Sequence, residues 1–459
     1  MRSPNDEVRA PTRKIPELRF EDQSLTSFSG LVAFQALFNG IGFAERLRRC
    51  TAHLRSSAAF ARHRILLLLV VHLLLGWRRL RDLDYYRDDP LVLRIVGWNR
   101  LPSVPAVSRA LSQFDEKAYD QLRELSRRLV VERISKENVP TITVDFDGSV
   151  LSTKGRCKEG TAIGYNHKKG QRSYYPLFAT VSQTGQVLDV LHRAGNVHDS
   201  NGAWEFMVET FSKLREDGYR GRLETRFDGA HFNEGTCLWL REEGVEFTGS
   251  VPFERLAQLK EKVENRKRWR SIDEEWSYFE ERWSPKKWFT KMRFIFYRHR
   301  VKKPKKGPIQ LDFFEPVSRE FEYKVVVTSK TTSAKNVLHF HNGRGSQEGL
   351  FAELKTQASM EYMPSKTLIG NKIYLASATL AHNLNRELQM RTTPRRPERS
   401  TVKRAALWVF EQLDTFRKRV IQRAGRLTRP QGVLTLTCSA NEKTARDLVG
   451  IVSALETTG

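Results

Sequence analysis

Three charged side chains stand at fixed intervals in the stretch HFHNGRGSQEGLFAELK, residues 339–355: Arg344, Glu348 four residues on, and Lys355 seven after that. A helix starting near Ser346 is predicted, because Asn342-Gly343-Arg344-Gly345-Ser346 is rich in turn and cap residues. Leu350, Phe351 and Leu354 then fall on one apolar face. On that helix Glu348 and Lys355 share a side two turns apart, with Arg344 at the entrance. A carboxylate that holds a metal ion, flanked by cations that hold phosphates, is the set that metal-dependent phosphodiester chemistry requires. Charges spaced in this way also mark ordinary solvated faces, so the helix alone decides nothing.

Two carboxylates upstream shift the balance. TITVDFDGSVL alternates apolar and polar residues with many β-branched side chains, which predicts a strand carrying Asp145 and Asp147 on one face. LETRFDGAHF predicts a second strand, ending on Asp228. Between them LFATVSQTGQVLDVLHRAGN reads as a hairpin turning at Thr184-Gly185, and NGAWEFMVETFSKLRED as a helix. CLWLREEG gives a short helix, and FEYKVVVTS a buried strand leading towards Glu348. The order predicts a mixed α/β sheet with acidic residues at strand ends and a site at its carboxyl edge. Asp147, Asp228 and Glu348, brought together there, offer hard oxygen ligands to two Mg²⁺ ions. Such a pair activates water or a DNA 3′-hydroxyl and stabilises the leaving oxygen, so no nucleophilic side chain is needed. No Ser-His-Asp or Cys-His arrangement stands out; His192, Arg193 and His198 read as polar loop residues rather than ligands.

The 459 residues suffice for two or three domains, and 78 Lys plus Arg against 53 Asp plus Glu leave a net charge of +25. That excess predicts a polyanionic partner, nucleic acid before membrane. Cys50, Cys157, Cys237 and Cys438 are scattered, with no C-x-x-C pair, which excludes an ordinary zinc finger and a disulfide framework and makes a reducing cytoplasm the expected location. The longest apolar run, Ile65 to Trp77, is too short to cross a bilayer and contains His72, so a buried core helix is expected. The N-terminus lacks the apolar core of a signal peptide.

Along the chain, residues 1–137 read as a loose arm followed by helices. In one of these, Ser103 offers a cap and Val107, Leu111 and Phe114 stripe one side, leaving Ser108 and Arg109 on the other. That helix suits either a plain bundle or a helix-turn-helix. Residues 138–250 and 321–390 carry the two parts of the sheet. Residues 251–320 break the pattern with Trp269, Trp276, Trp283 and Trp288 among a dense run of Lys and Arg. Such interleaving suits nucleic-acid strands, or equally an antiparallel β-module with an aromatic core. Residues 391–459 begin with an arginine-rich linker and continue with a helix over LWVFEQLDTFRKRVIQRAG, a short strand at GVLTLTCS and a terminal helix.

These motifs resemble the DDE transposases of bacterial insertion sequences, which have a ribonuclease H-like catalytic core. That superfamily's signature, Y-x-x-R-x-x-x-E-x-x-x-x-x-x-K, is met at its offsets by His341, Arg344, Glu348 and Lys355. TVDFDGSVL resembles the first-aspartate strand and favours Asp147 over Asp145, and RFDGAHF resembles the second-aspartate segment, R-x-D-S-G-[FY], at Asp228. EGTAIGYNHKK and HRAGNVHDSNGA are similar to the superfamily's 1380 group. The likeness spans residues 20 to about 440, with His341 in place of the tyrosine and Ala230 in place of a glycine. It implies a helical DNA-binding domain, a core interrupted by a β-rich insertion, and a C-terminal region suited to dimerisation. It further implies catalysis by Asp147, Asp228 and Glu348 on two Mg²⁺ ions, with Mn²⁺ able to substitute, and DNA phosphate contacts from His341, Arg344 and Lys355. The expected partners are double-stranded DNA, as transposon ends and target, and a second copy of the chain in the synaptic complex. One of Trp276, Trp283 or Trp288 would stack on a flipped base. The alternative is a catalytically silent, sequence-specific DNA-binding protein that keeps only the basic surface.

Overall fold

A computed structural model describes residues 15–55, 60–164, 170–198, 200–253, 256–300, 321–396 and 402–457. The first fourteen residues of the expected arm, the basic run at 301–308 and the end of the arginine-rich linker lie outside them.

The period-2 segments form one nine-stranded mixed sheet. In chain order its strands are β1 (Thr141–Gly148), β2 (Leu177–Val181), β3 (Gln186–Leu191), β4 (Arg222–Phe227), β5 (Glu246–Ser250), β6 (Arg270–Ser271), β7 (Trp276–Trp283), β8 (Met292–Arg300) and β9 (Phe321–Thr328). Across the sheet they run β6-β7-β8-β9-β5-β4-β1-β2-β3. β1, β4 and β5 are parallel neighbours in the middle, and the pairings outside them are antiparallel. Parallel central strands bury both faces, so the run β1 is buried from Ile142 to Phe146. The expected β-rich insertion is therefore no separate module. β7 and β8 continue the central sheet through β9, whose Val326 to Thr328 pair with β5.

Seven helices matter for the site: α1 (Arg62–Leu74), α2 (Glu116–Lys136), α3 (Ala203–Glu216), α4 (Glu234–Glu242), α5 (Ala334–Asn342), α6 (Ser346–Thr356) and α7 (Leu368–Thr392). The apolar run read as a core helix is α1, with Ile65 to Leu74 all buried. Inside it the His72 Nδ1 meets the Tyr86 hydroxyl at 2.7 Å, and burial pushes the imidazole down to about 4. The helical segment 28–129 shares one apolar core with α7 and with Phe416, Val420, Ile421, Leu448, Ile451 and Leu455 from the C-terminal region. The boundary expected at 137/138 marks the change from helix to strand, and the change from the helical core to the sheet core falls just before it, between Leu129 and Val130. α2 bridges it: Leu122, Leu125 and Leu129 belong to the helical core, Val130, Val131 and Ile134 to the sheet core. Three ion pairs lock this helix in place, Arg123 to Asp189 on β3, Arg127 to Asp217, and Arg133 to Glu387 on α7.

Two other expectations change. The helix read over residues 407–425 is confined to Leu413–Phe416 and a π-turn at Arg417–Ile421. Before it the backbone is non-helical: the Leu407 N–H donates to the Gln183 carbonyl and its own carbonyl accepts from the Arg396 N–H. The helix holding Ser108 and Arg109 spans Val104–Leu111 and buries Val107, Ala110 and Leu111; Arg109 is exposed, and Ser103 stands at the N-cap without a side-chain bond. Among the described residues no helix is long and apolar enough to cross a membrane. All four cysteines are free thiols.

Candidate active site

β1 and β4 lie side by side and parallel, in register from Thr141 opposite Arg222 to Asp145 opposite Arg226. Their carboxyl ends therefore deliver two acids to one edge, Asp147 near the end of β1 and Asp228 just past β4. Asp228 turns there because its Oδ1 accepts the Ala230 N–H at 3.0 Å and caps a single 3₁₀ turn, Gly229–His231.

The elements above this edge are fixed by polar bonds from the side chains around the signature. α5 runs into a 3₁₀ turn at Gly343–Gly345, which leads into α6 at Ser346, the expected start, although Gly345 at its N-cap is helical and makes no side-chain cap bond. Gln347 on the first turn of α6 is buried and donates to the Asp145 carbonyl at 3.1 Å and the Thr180 hydroxyl at 2.9 Å, docking the helix onto β1 and β2. Glycine at 343 is required by close approach: a Cβ there would lie 2.2 Å from Arg226 Nη1 and 2.5 Å from the Lys403 carbonyl oxygen. Further along α6, Phe351 and Leu354 are buried as expected, while Glu353 pairs with Arg386 of α7 and accepts the Leu413 N–H at 3.2 Å.

With the helix seated, one nitrogen of Arg344, Nη2, lies 3.0 Å from Asp147 Oδ1 and 3.4 Å from Asp228 Oδ2. A single guanidinium nitrogen thus stands between two carboxylates that would otherwise repel. The two acids respond differently. Burial pushes the Asp147 carboxyl up to about 6; the Asp228 charge adds to this, and Arg344 and the Gly148 N–H oppose it. Burial acts on Asp228 in the same direction, but hydrogen bonding from His231, with Arg344 and the Ala230 N–H, outweighs it and holds the group at about 2.

The sequence thus brings Asp147, Asp228 and Arg344 into contact. Glu348 sits exposed one residue beyond Gln347, on the helix that covers the same edge, and Lys355 is half-buried two turns further on. Among the described residues no three Asp, Glu, His or Cys side chains are gathered as a ready-made metal cluster. The oxygen-only donors nevertheless suit a hard divalent cation, and the position they flank is already taken by positive charge. His341 is not at the surface: it is 3 % exposed, its Nε2 2.9 Å from the Ser250 hydroxyl and its Nδ1 3.0 Å from the Thr248 hydroxyl. Burial drives its protonated form well below the usual range. In this place it ties α5 to β5, where the expectation was a phosphate contact. Asp145 is also internal, 1 % exposed and paired with Arg226 through two bonds of 2.6 Å. His192 is half-buried, its ring edge-on to Tyr174, and Arg193 donates to the carbonyls of Tyr175 and Asn201, in keeping with the reading of both as non-ligands.

The insertion tryptophans are packed. Trp269 meets Phe279 edge-on under the Arg298 guanidinium, Trp276 lies on His299, Trp283 meets Phe294, and Trp288 stacks on Phe232 at 4.8 Å. The aromatic that sequence reasoning missed is Phe289, at the tip of the β7–β8 hairpin and 99 % exposed. Glu234 Oε1, six residues after Asp228, accepts the backbone N–H groups of Phe289 and Thr290 at 2.8 and 2.7 Å. That clamp, with the Trp288–Phe232 stack, seats the tip on the Asp228 segment, and Lys286, Lys287 and Lys291 surround it, all exposed.

Residues 10–458 match the family described as Transposase DDE domain group 1. No curated protein sequence matches the chain. Among solved structures, the piggyBac transposase synaptic complex with hairpin DNA is similar at 16 % identity and a TM-score of 0.41, covering 78 % of this chain and 75 % of that one. The Mos1 mariner paired end complex with Mn matches at 12 % identity and a TM-score of 0.17, over 37 % of this chain and 56 % of that one.

Proposed function

Since the chain belongs to the DDE transposase family and is an enzyme of DNA cleavage and transfer, we propose that it binds the terminal inverted repeats of its element and cuts and joins DNA at the edge formed by Asp147, Asp228 and Glu348. The observation that carries this reading is the sharing of one Arg344 nitrogen by Asp147 and Asp228 at the ends of adjacent parallel strands. Two carboxylates that share one guanidinium nitrogen are left short of positive charge in a protein of net charge +25, which favours a cation site over a catalytically silent DNA-binding protein.

Asp147, Asp228 and Glu348 would hold the Mg²⁺ ions, Glu348 by swinging in from its exposed place on α6. When bound, the ions supply an activated attacking oxygen and charge stabilisation at the leaving oxygen. Arg344, already poised at the edge, would exchange its carboxylate contacts for a DNA phosphate, and Lys355 would hold a neighbouring phosphate. Two copies of the chain would pair two ends and the target.

The test is Glu348→Gln with end-containing duplex and Mg²⁺. Binding should persist while cleavage falls by at least about a thousandfold, the scale of losing a main source of charge stabilisation; nicking at the wild-type rate refutes the assignment. Phe289 takes the role expected of a tryptophan, stacking on an unpaired base. Phe289→Ala should weaken binding to ends with unpaired bases by about 1–3 kcal/mol and leave duplex binding nearly unchanged, as competition titrations would read. Equal loss on both DNAs would assign the tip to general backbone contact.

A further inference from the structure

The two oxygens of Asp228 have unlike surroundings. Oδ1 faces inward, accepting from the Ala230 N–H at 3.0 Å and lying 3.0 Å from His231 Nδ1, whereas Oδ2 faces Arg344. His231 is 4 % exposed, its ring centroid 6.3 Å from those of Phe146 and Phe227, and its Nε2 is buried without a hydrogen-bond partner among the described residues. A phenyl ring would fill this slot between two phenylalanines without stranding a polar nitrogen, whose burial alone costs about 1–3 kcal/mol. What a phenyl ring lacks is the donor to Asp228.

We propose that His231 is a positioning residue for Asp228: its Nδ1–H pins Oδ1 to the protein so that Oδ2, which faces Arg344, is the oxygen presented to the cation. The proposal rests on the reading above, in which Asp228 is a cation ligand. A carboxylate held by one backbone N–H can still turn about its Cβ–Cγ bond. A second bond from a side chain fixed between two aromatic rings removes that freedom. Partners of this kind, which orient a ligand without touching the metal, are typically worth about 10–100-fold in metal affinity.

The experiment titrates full-length protein with Mn²⁺ alone, following free Mn²⁺ by electron paramagnetic resonance, in His231→Phe, His231→Leu, His231→Asn and Asp228→Asn. Thermal melts select the variants that fold. His231→Phe keeps the ring and His231→Leu the apolar bulk, both without the donor, and each should weaken Mn²⁺ binding about 10–100-fold. Asparagine sets an N–H near the place of Nδ1, so His231→Asn should recover most of the affinity. Wild-type affinity in His231→Phe or His231→Leu, with affinity lost in Asp228→Asn, overturns this proposal alone. Equal loss in the asparagine and phenylalanine variants also overturns it, by assigning His231 to packing. Unchanged Mn²⁺ binding in Asp228→Asn removes Asp228 as a ligand, and the proposal with it.

Discussion

Two arginine–carboxylate groups lie two residues apart along β1, and they are built in opposite ways. At Asp145 every partner is internal: Arg226 gives two parallel bonds of 2.6 Å, and the Ser182 hydroxyl donates at 2.6 Å. Arg226 also reaches the Phe340 carbonyl at 3.0 Å, so a single buried pair links β1, β4 and α5. At Asp147 one guanidinium, carried on the turn before α6, is divided between two carboxylates, both about 30 % exposed as side chains. The first group is saturated and sealed. The second is short of positive charge and open on one side. A frame that must not move and an edge that must accept a new cation and a phosphate are thus made from the same residue types, distinguished by exposure and by whether a guanidinium serves one carboxylate or is shared by two.

The largest effect should come from breaking the sealed group. Asp145→Asn keeps the volume but leaves the Arg226 charge buried and unpaired, which should cost about 3–5 kcal/mol of stability. Urea or guanidinium unfolding measures this directly. A loss under about 1 kcal/mol would mean that the pair is not what fixes α5 over the strand ends.

The sequence showed the open group more plainly than the sealed one. Asp147, Asp228 and the start of α6 were legible because alternation, strand ends and turn-rich segments are local signals. Asp145 and Asp147 look equivalent by alternation, on one face of one strand; the family resemblance favours Asp147, and the parallel register that sets Arg226 opposite Asp145 gives the physical difference. The same limit hid the course of the insertion: its mixed aromatic and basic residues suit a β-module, but nothing local says that 276–283 and 292–300 extend the central sheet through β9. It also hid the shared core of the N-terminal helices with α7 and the C-terminal region, whose contacts join residues hundreds of positions apart. Phe289 and Trp288 are neighbours of similar type, and nothing local says that Phe232 covers one and leaves the other bare.

A smaller and sharper effect should come from the open group through pH. Burial raises the Asp147 carboxyl to about 6, with the Asp228 charge assisting and Arg344 opposing. The folded protein therefore binds this proton more readily than the unfolded chain does. The stability it contributes is fully present below the ordinary carboxylate pKa of about 4 and is lost as pH rises through about 6. Asp147→Asn removes the titration. The variant should be more stable than wild type by on the order of 1 kcal/mol at pH 7, and the gain should vanish below about pH 4. Mg²⁺ should abolish the difference by stabilising wild type alone, since a cation at the edge favours the ionised carboxylate and binds only the folded protein. Thermal melts of both proteins from pH 4 to 8, with and without Mg²⁺, measure this. If Asp147→Asn is the less stable protein at pH 7 without metal, the carboxylate is fully compensated by Arg344, and the contrast with Asp145 is one of exposure and not of charge.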